Sequence, residues 1–345
     1  MKGAGDRWPE LPWTEWEPTI STLHMWTQIV GKVRMTLAPP LNHWWHVPLY
    51  VSARGLTTTA IPYGPRDFQV DFDLIDHRLL VTESGGGAFV IDLGPKSVAE
   101  FYRQFMDGLR GLGIDVRIWT HPVEVAESIP FESDEQHASY EPDHAHRFWL
   151  ALTQADRVMT EFRARFLGKA SPVHFFWGGF DHATTRFSGR RSWGHPGGAP
   201  NCAVWVMEEA YSHEVSSAGW WPQSKPPGPA FYSYMYPEPV GFDRAAVRPE
   251  AASYDQVFGE FVLPYDAVRA AADPDATLLD FFQSTYEAGV TLAGWDRAAL
   301  EPGRLPERPP RSAWSNTVPE PAAHAPDRDD DQPPTGRRRR KDPAT

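Results

Sequence analysis

Histidine, arginine and tryptophan gather in two short stretches of this 345-residue chain, residues 22–46 and 173–195. Aromatic walls beside groups that donate protons or bind anions are typical of a small-molecule pocket. Four histidines are candidate catalytic residues for proton transfer: His24, His43, His174 and His213. Six side chains are candidate ligand-binding residues, three as aromatic walls and three as positive charges: Trp26, Trp44, Trp177, Arg54, Arg186 and Arg190. The guanidinium groups favour a small anionic ligand.

The spacing of these residues does not fit a metal centre. The histidines of His43-Trp44-Trp45-His46 are three apart, but this segment lies between Pro39-Pro40 and a predicted strand. In an extended chain, residues three apart face opposite ways. His213-Glu214 begins like a zinc-protease helix, but Ser217 stands where the second histidine belongs. The chain also has no Walker lysine motif and no Gly-x-Ser-x-Gly elbow, so we predict no metal and no cofactor.

Composition indicates a folded cytoplasmic protein. Hydrophobic residues make up 41% of the chain and aromatic residues 13%, values typical of a globular protein. The single Cys202 excludes an internal disulfide and fits a reducing compartment. No run approaches the ~20 apolar residues of a membrane span, and the first residues lack the apolar centre of a signal peptide. A net charge of −12 argues against a nucleic-acid partner for the folded body. Arginine in excess of lysine, with abundant alanine, proline and glycine, suggests a bacterial source.

The C-terminal segment, residues 302–345, differs from the rest of the chain. It holds ten of the 34 prolines and few apolar residues, so it cannot repay the entropy cost of ordering. We predict a disordered tail. Its run of three aspartates followed by a basic run at residues 337–341 is either a solvated terminus or an arm for nucleic acid or a membrane surface. The folded part is predicted as two halves, residues 1–130 and 131–301.

Hydrophobic periodicity predicts an α+β fold in which each half has the order helix, antiparallel sheet, helix. The predicted helices are residues 19–37, a helix capped by Ser97, 141–167 and 276–292. The first half ends in a predicted strand at residues 114–119. In the second half a hairpin, residues 173–177 and 183–187, precedes a long Gly/Pro-rich loop and strands at 231–236 and 259–263.

The two halves repeat some of their local pattern. Val47-Pro48-Leu49-Tyr50 parallels Val173-His174-Phe175-Phe176, and Thr58-Thr59 parallels Thr184-Thr185 at the same spacing. This parallel suggests an internal duplication of one helix–sheet–helix unit. The cleft between two such halves is the expected place for a ligand.

Several segments together resemble a bacterial family of uncharacterised proteins known only as a domain of unknown function. The resemblance spans nearly all of residues 8–300, and His46 and His182 are not part of its pattern. The segments that carry it are Trp8-Pro9-Glu10-Leu11-Pro12, Thr22 to Lys32, Asn42-His43-Trp44-Trp45, Val173 to Gly178, Thr185 to Arg190 and Tyr211-Ser212-His213-Glu214-Val215. The resemblance implies one full-length cytoplasmic unit and brings no activity, cofactor or catalytic residue.

Two functional hypotheses remain open at this stage. In the first, the protein binds a small anionic ligand between its halves and could act on it as an enzyme. In the second, it is a non-catalytic interaction module whose aromatic residues form a core and a partner surface. Convergence of the imidazole and guanidinium groups on one cavity would favour the first hypothesis, and their separation would favour the second.

Overall fold

A computed structural model describes residues 7–223 and 228–302 of the chain. Its first element is the long helix α1, Trp13–Leu37. Proline is unfavourable inside helices, so the predicted start lay after Pro18. The helix nevertheless begins at Trp13, because Trp16 and Ile20 bury apolar surface on both sides of that proline. From Thr19 to Arg34 nearly all of α1 is buried, which makes it the central helix of the described structure.

The first sheet follows α1 and is antiparallel. Its six strands are β1 Tyr50–Ser52, β2 Gly55–Thr57, β3 Ile61–Tyr63, β4 Arg66–Asp73, β5 Arg78–Glu83 and β6 Ala88–Asp92. The order is β1-β2-β4-β5-β6, with β3 also paired to β4. Alternating Phe68, Val70 and Phe72 are buried on one face of β4, as the period of two predicts. Helix α2, Val98–Gly111, is capped by the predicted Ser97, whose side chain accepts a hydrogen bond from the Glu100 amide at 3.1 Å.

The second sheet has the order β11-β12-β10-β9-β8-β7 and is also antiparallel. Helix α3, Pro142–Ala164, precedes it. Its strands are β7 His174–Phe176, β8 Asp181–Arg191, β9 His213–Trp221, β10 Ala230–Tyr236, β11 Ser253–Asp255 and β12 Glu260–Pro264. The remaining helices are α4 Val204–Ala210, α5 Tyr265–Arg269, α6 Pro274–Leu292 and α7 Arg297–Leu300.

The two sheets meet edge to edge at a single residue pair. The amide of Leu49 donates to the Phe175 carbonyl, and the amide of Phe175 donates to the Leu49 carbonyl, both at 2.9 Å. Beyond this junction, alternation gives the second sheet two unlike faces. One face, with Trp220 and Phe231, packs its apolar side chains against α3 and α6. We call the other the outer face.

The predicted α+β class and the helix–sheet–helix order of each half are confirmed. The predicted strand at residues 114–119 is wrong: its alternating pattern buries Ile114 and Val116, but no strand within residues 7–223 and 228–302 pairs with it. The predicted long loop was too long, because it contains α4 and β9. Described residues belong to one compact unit, and the boundary near residue 130 stays a prediction. Apart from Pro302, the predicted tail lies outside the described residues.

Candidate functional site

The outer face of the second sheet carries hydroxyls, carboxyls and aromatic rings in place of an apolar stripe. Strand pairing puts Asp181, Thr185 and Phe187 of β8 on this face, and Ser217 and Gly219 of β9 beside them. Tyr232, Tyr234 and Tyr236 follow on β10. One residue beyond the Ser233–Phe261 pair, β12 adds Glu260 opposite Tyr234. A sheet face of this composition is expected to meet water or a polar ligand.

Asp181 and Tyr232 are linked directly across β9. The Tyr232 hydroxyl donates to Asp181 Oδ2 at 2.5 Å. Between them lies Gly219, where a Cβ atom would approach the Tyr232 ring to 2.3 Å. Only glycine leaves room for this ring to lie flat over the middle strand, so Gly219 is what allows the tyrosine to reach the carboxyl.

Glu124 is the second carboxyl at this end of the face. It belongs to the irregular segment after α2, and its backbone is left-handed, with φ of 59°. Such a conformation is unfavourable for a residue with a side chain and persists only where the surroundings enforce it. Here the Glu124 amide donates to the Pro200 carbonyl at 2.7 Å. The left-handed turn thereby directs the carboxyl toward the hairpin between β7 and β8.

That hairpin holds Glu124 next to Asp181. A Cβ atom on Gly178 would lie 2.3 Å from Glu124 Oε1, so the carboxyl occupies the space that this glycine leaves free. A Cβ atom on Gly179 would lie 3.2 Å from both Glu124 Oε2 and Asp181 Oδ1. These two oxygens are therefore no more than twice that distance apart. The two glycines form a cradle for a pair of neighbouring carboxyls.

Two buried polar residues of α1 fix this arrangement from below. Gln28 accepts a hydrogen bond from the Val123 amide at 2.9 Å and donates to the Val123 carbonyl at 2.8 Å. His24, one turn earlier, bonds through Nε2 to the Gly178 carbonyl at 2.8 Å. A carbonyl can only accept, so this nitrogen of His24 carries the proton. Both sides of the carboxyl pair are thus tied to the same helix.

The environment raises the pKa of each carboxyl. Burial raises the pKa of Asp181 to about 6, against the opposing hydrogen bond from Tyr232. Burial, then the nearby charge of Asp181, raises the pKa of Glu124 to about 7. The Glu124 residue as a whole is nevertheless exposed, so it lies at the solvent-facing edge of this group of side chains. We call this the acid recess: Glu124, Asp181, Tyr211, Tyr232, Tyr234 and Glu260.

Glu260 is the most enclosed member of the acid recess. It is 4% exposed, and its Oε1 atom has no hydrogen-bond partner among the described residues. Burial raises the pKa of Glu260 to about 8, with a further contribution from the charges of Asp255 and Asp181. A buried carboxyl that lacks both a cation and a full set of hydrogen bonds retains its proton at neutral pH.

Tyrosine and histidine rings cover the acid recess on the side of the segment that leads to β9. The Tyr211 and Tyr234 hydroxyls are 2.7 Å apart, and burial raises the pKa of Tyr234 to about 12. His195 stacks on Tyr211 with ring centroids 4.5 Å apart and lies 5.0 Å from Tyr236. Both hydroxyls stay protonated at neutral pH, and because one donates to the other, one proton of the pair is left to donate elsewhere.

Three of the predicted site residues gather elsewhere, at the far end of the outer face: His43, Trp44 and His213. His43 lies 5.7 Å from the His213 ring and accepts a hydrogen bond from Lys169 Nζ at 2.8 Å. Trp44 donates from Nε1 to the Val206 carbonyl of α4 at 3.1 Å. His174 is fully buried, and burial lowers its pKa to about 3.

The other predicted ligand-binding residues have packing or pairing roles. Trp26 stacks on Phe101 in the core at 4.8 Å, and Trp177 donates to the Val47 carbonyl at 2.8 Å. The three arginines lie apart from one another. Arg54 pairs with Asp73 and Asp76 on the first sheet; Arg186 is buried on the inner side of the second sheet between Phe162 and Tyr286; Arg190 pairs with Glu214.

Comparison with known protein families treats the described part of the chain as one unit. The model of a family of unknown function matches residues 8–302, nearly the whole described part. The chain belongs to this family, DUF5996. No curated protein and no solved structure matches the chain. The DUF5996 assignment confirms the resemblance seen in the sequence and assigns no activity.

In this DUF5996 chain the ten predicted site residues do not converge on one place. Two of them lie at the turn of the hairpin in the acid recess: Trp177, which precedes Gly178, and His24, which bonds to the Gly178 carbonyl. Sequence reasoning missed Glu124, Asp181 and Glu260. The sequence did offer one signal. Asp181 follows the turn residues Gly178-Gly179, and tyrosines alternate at 232, 234 and 236 on a predicted strand, which indicates a polar sheet face. Within residues 7–223 and 228–302, no three histidine, cysteine or acidic side chains are placed to hold a metal ion.

A groove of about 440 Å³ lies away from this face, along α6. Its charged residues are already paired: Arg248 with Asp280 at 2.8 Å, and Arg297 with Glu301 at 2.7 Å. Paired surface charges leave little for a ligand to neutralise. The acid recess is therefore the better candidate site.

Proposed function

We propose that the acid recess binds a small cationic ligand through an alkylammonium or guanidinium group. The observation that carries this proposal is the juxtaposed carboxyl pair Glu124 and Asp181 over Gly178 and Gly179. Neither acid forms an ion pair with a lysine or arginine among the described residues. Two neighbouring carboxyl groups without a cation disfavour each other's ionised form, so the recess lacks the positive charge that a ligand would bring.

The aromatic lining supports the same class of ligand. Tyr232 and Tyr211 present rings beside the carboxyls, and a cation over an aromatic face gains ~0.5–2 kcal/mol, more when desolvated. A guanidinium group could also bond both oxygens of one carboxylate. Because the recess is negatively charged, we propose a cationic ligand in place of the anionic ligand predicted from the sequence.

Binding of a cation has a consequence that can be measured. At pH 6.5 Glu124 is partly protonated, because its pKa is about 7. A positive charge beside it favours the ionised form, so binding should release protons. Calorimetric titration with 1,4-diaminobutane in buffers of different ionisation enthalpy measures this release directly.

Matched variants test the assignment. We expect Glu124→Gln and Asp181→Asn each to weaken diamine binding at least about tenfold, a loss of ~1.4 kcal/mol. Proton release should fall in Glu124→Gln to the smaller contribution of Asp181, whose pKa is about 6. Glu161→Gln, which removes an exposed carboxylate of α3, is the control and should bind as the parent does. Equal binding by all four proteins, or binding of butyrate in place of the diamine, would contradict the proposal.

The same carboxyl pair suggests a second, catalytic function on the bound molecule. The pKa of Asp181 is raised to about 6 and that of Glu124 to about 7, so at neutral pH one group can accept a proton while its neighbour donates one. Hydrolysis of amine-bearing chromogenic esters and glycosides, with a bell-shaped pH profile lost in both variants, would support it. Turnover that persists in both variants would exclude the pair. A bacterial source and a cytoplasmic location, predicted from composition and the single Cys202, complete this proposal.

A further inference from the structure

Lys32 of α1 is a buried amine without a hydrogen-bond partner in the described part of the chain. The residue is 1% exposed, and Nζ makes no hydrogen bond with any described residue. Lysine is almost never fully buried unless it is paired, and an isolated ammonium in the interior is costly. Its burial therefore calls for a physical explanation other than packing alone.

Two tryptophans surround this amine. Nζ lies 4.8 Å from the centre of the Trp119 ring and 6.0 Å from that of Trp177. Trp177 is fixed against α1, because a Cβ atom on Gly31 would lie 2.3 Å from its ring. Trp119, in contrast, is 55% exposed and belongs to the irregular segment after α2. One exposed indole ring therefore lies between the amine and the solvent.

The position of Lys32 on α1 relates it to the residues that support the acid recess. His24, Gln28 and Lys32 are spaced by four residues, so they lie along one face of the helix. Gln28 bonds to Val123, in the same irregular segment that carries Trp119. Three polar groups are thus buried along one line of α1, and two of them bond to the parts of the chain that form the acid recess.

We infer that Lys32 is a nucleophilic amine that forms an imine with a small aldehyde or ketone admitted beneath Trp119. The nitrogen lone pair adds to the carbonyl carbon, and a proton moves from nitrogen to the former carbonyl oxygen. Loss of that oxygen as water then gives the imine, so no oxidant or reductant is needed. The reaction is independent of the cation proposed for the acid recess.

The protonation state of Lys32 is compatible with this chemistry. Burial lowers its pKa to about 8, because the charged form is poorly solvated. At pH 7 about one amine in ten is then neutral, against a few in ten thousand for an ordinary lysine. Desolvation of this kind is a known means of activating a lysine nucleophile.

Reductive trapping tests the inference. The full chain is treated at pH 7 with limiting acetaldehyde and cyanoborohydride, which converts an imine to an ethylamine, and is then mapped by peptide mass. With only six lysines in the chain, each site can be followed separately. We expect Lys32 to be labelled at least about tenfold faster than Lys96 and Lys169. Lys32→Met should remove this fast label and leave the others unchanged.

Trp119→Ala separates a reactive amine from a structural one. If Trp119 admits the carbonyl compound, this variant should label Lys32 faster than the parent does. Absence of label at Lys32 in both proteins would overturn the inference and leave Lys32 as a cation held by aromatic rings. Label at Lys32 only in Trp119→Ala would also overturn it, because the native chain would then exclude the carbonyl compound.

Discussion

Replacing Glu260 with glutamine should change how the stability of the protein depends on pH. Glu260 is 4% exposed, and burial raises its pKa from 4.5 to about 8. Between these values the unfolded chain releases the proton that the folded chain retains. The folded state therefore loses stability as pH rises through this window, by up to about 1.4 kcal/mol per pH unit. Glutamine has no such proton, so the variant should not share the loss.

The size of the effect follows from the width of that window. The full shift would correspond to an upper limit of about 5 kcal/mol, and reorganisation around a buried charge reduces it to roughly half. We expect Glu260→Gln to gain about 2–3 kcal/mol relative to the parent between pH 5 and pH 8. Urea unfolding monitored by tryptophan fluorescence at pH 5, 6.5 and 8 measures both free energies of unfolding.

The control for this experiment is Glu10→Gln, at a carboxylate whose side chain is 66% exposed. Its free energy of unfolding should follow that of the parent at every pH within about 0.5 kcal/mol. If the stability difference between Glu260→Gln and the parent is the same at all three pH values, Glu260 is ionised in the folded state. The argument that burial holds the proton on Glu260 would then be wrong.

Two further substitutions probe packing around the site and the core. The Cβ atom of Gly178→Ala would lie 2.3 Å from Glu124 Oε1, so the carboxyl must move and diamine affinity should fall at least about tenfold. The control is Gly94→Ala, whose Cβ atom enters open space and should leave calorimetric binding unchanged. Arg186→Lys replaces a planar guanidinium that lies 3.5 Å from the centre of the Phe162 ring, and should lower the free energy of unfolding in urea by about 1–3 kcal/mol. An unchanged urea midpoint would show that the stacked geometry contributes little.

The elements that the sequence predicted well have strong local signals. Helix α6 ends where predicted and begins two residues earlier, and α2 starts after its Ser97 cap. Strand β9 was missed because Ser216, Ser217 and Gly219 interrupt its apolar pattern. Gly219 makes room for Tyr232, and Ser217 lies opposite Tyr234, so two of the residues that hid the strand also shape the outer face.

The candidate site was harder to predict, because its residues come from distant parts of the chain. Glu124 reaches Asp181 only through a left-handed turn and two glycines, and neither feature indicates a partner in the sequence. The predicted arginines were chosen by residue type. Arg186 lies on β8 next to Thr185, but adjacent strand residues face opposite ways, and it packs against α3 instead.

The left-handed backbone at Glu124 has a cost in stability. A glycine or asparagine would adopt φ of 59° at lower energetic cost, and the protein would then be more stable by an amount of order 1 kcal/mol. A chain optimised only for thermal robustness would discard the glutamate. The glutamate therefore lowers stability while the strained turn holds its carboxyl in one fixed place.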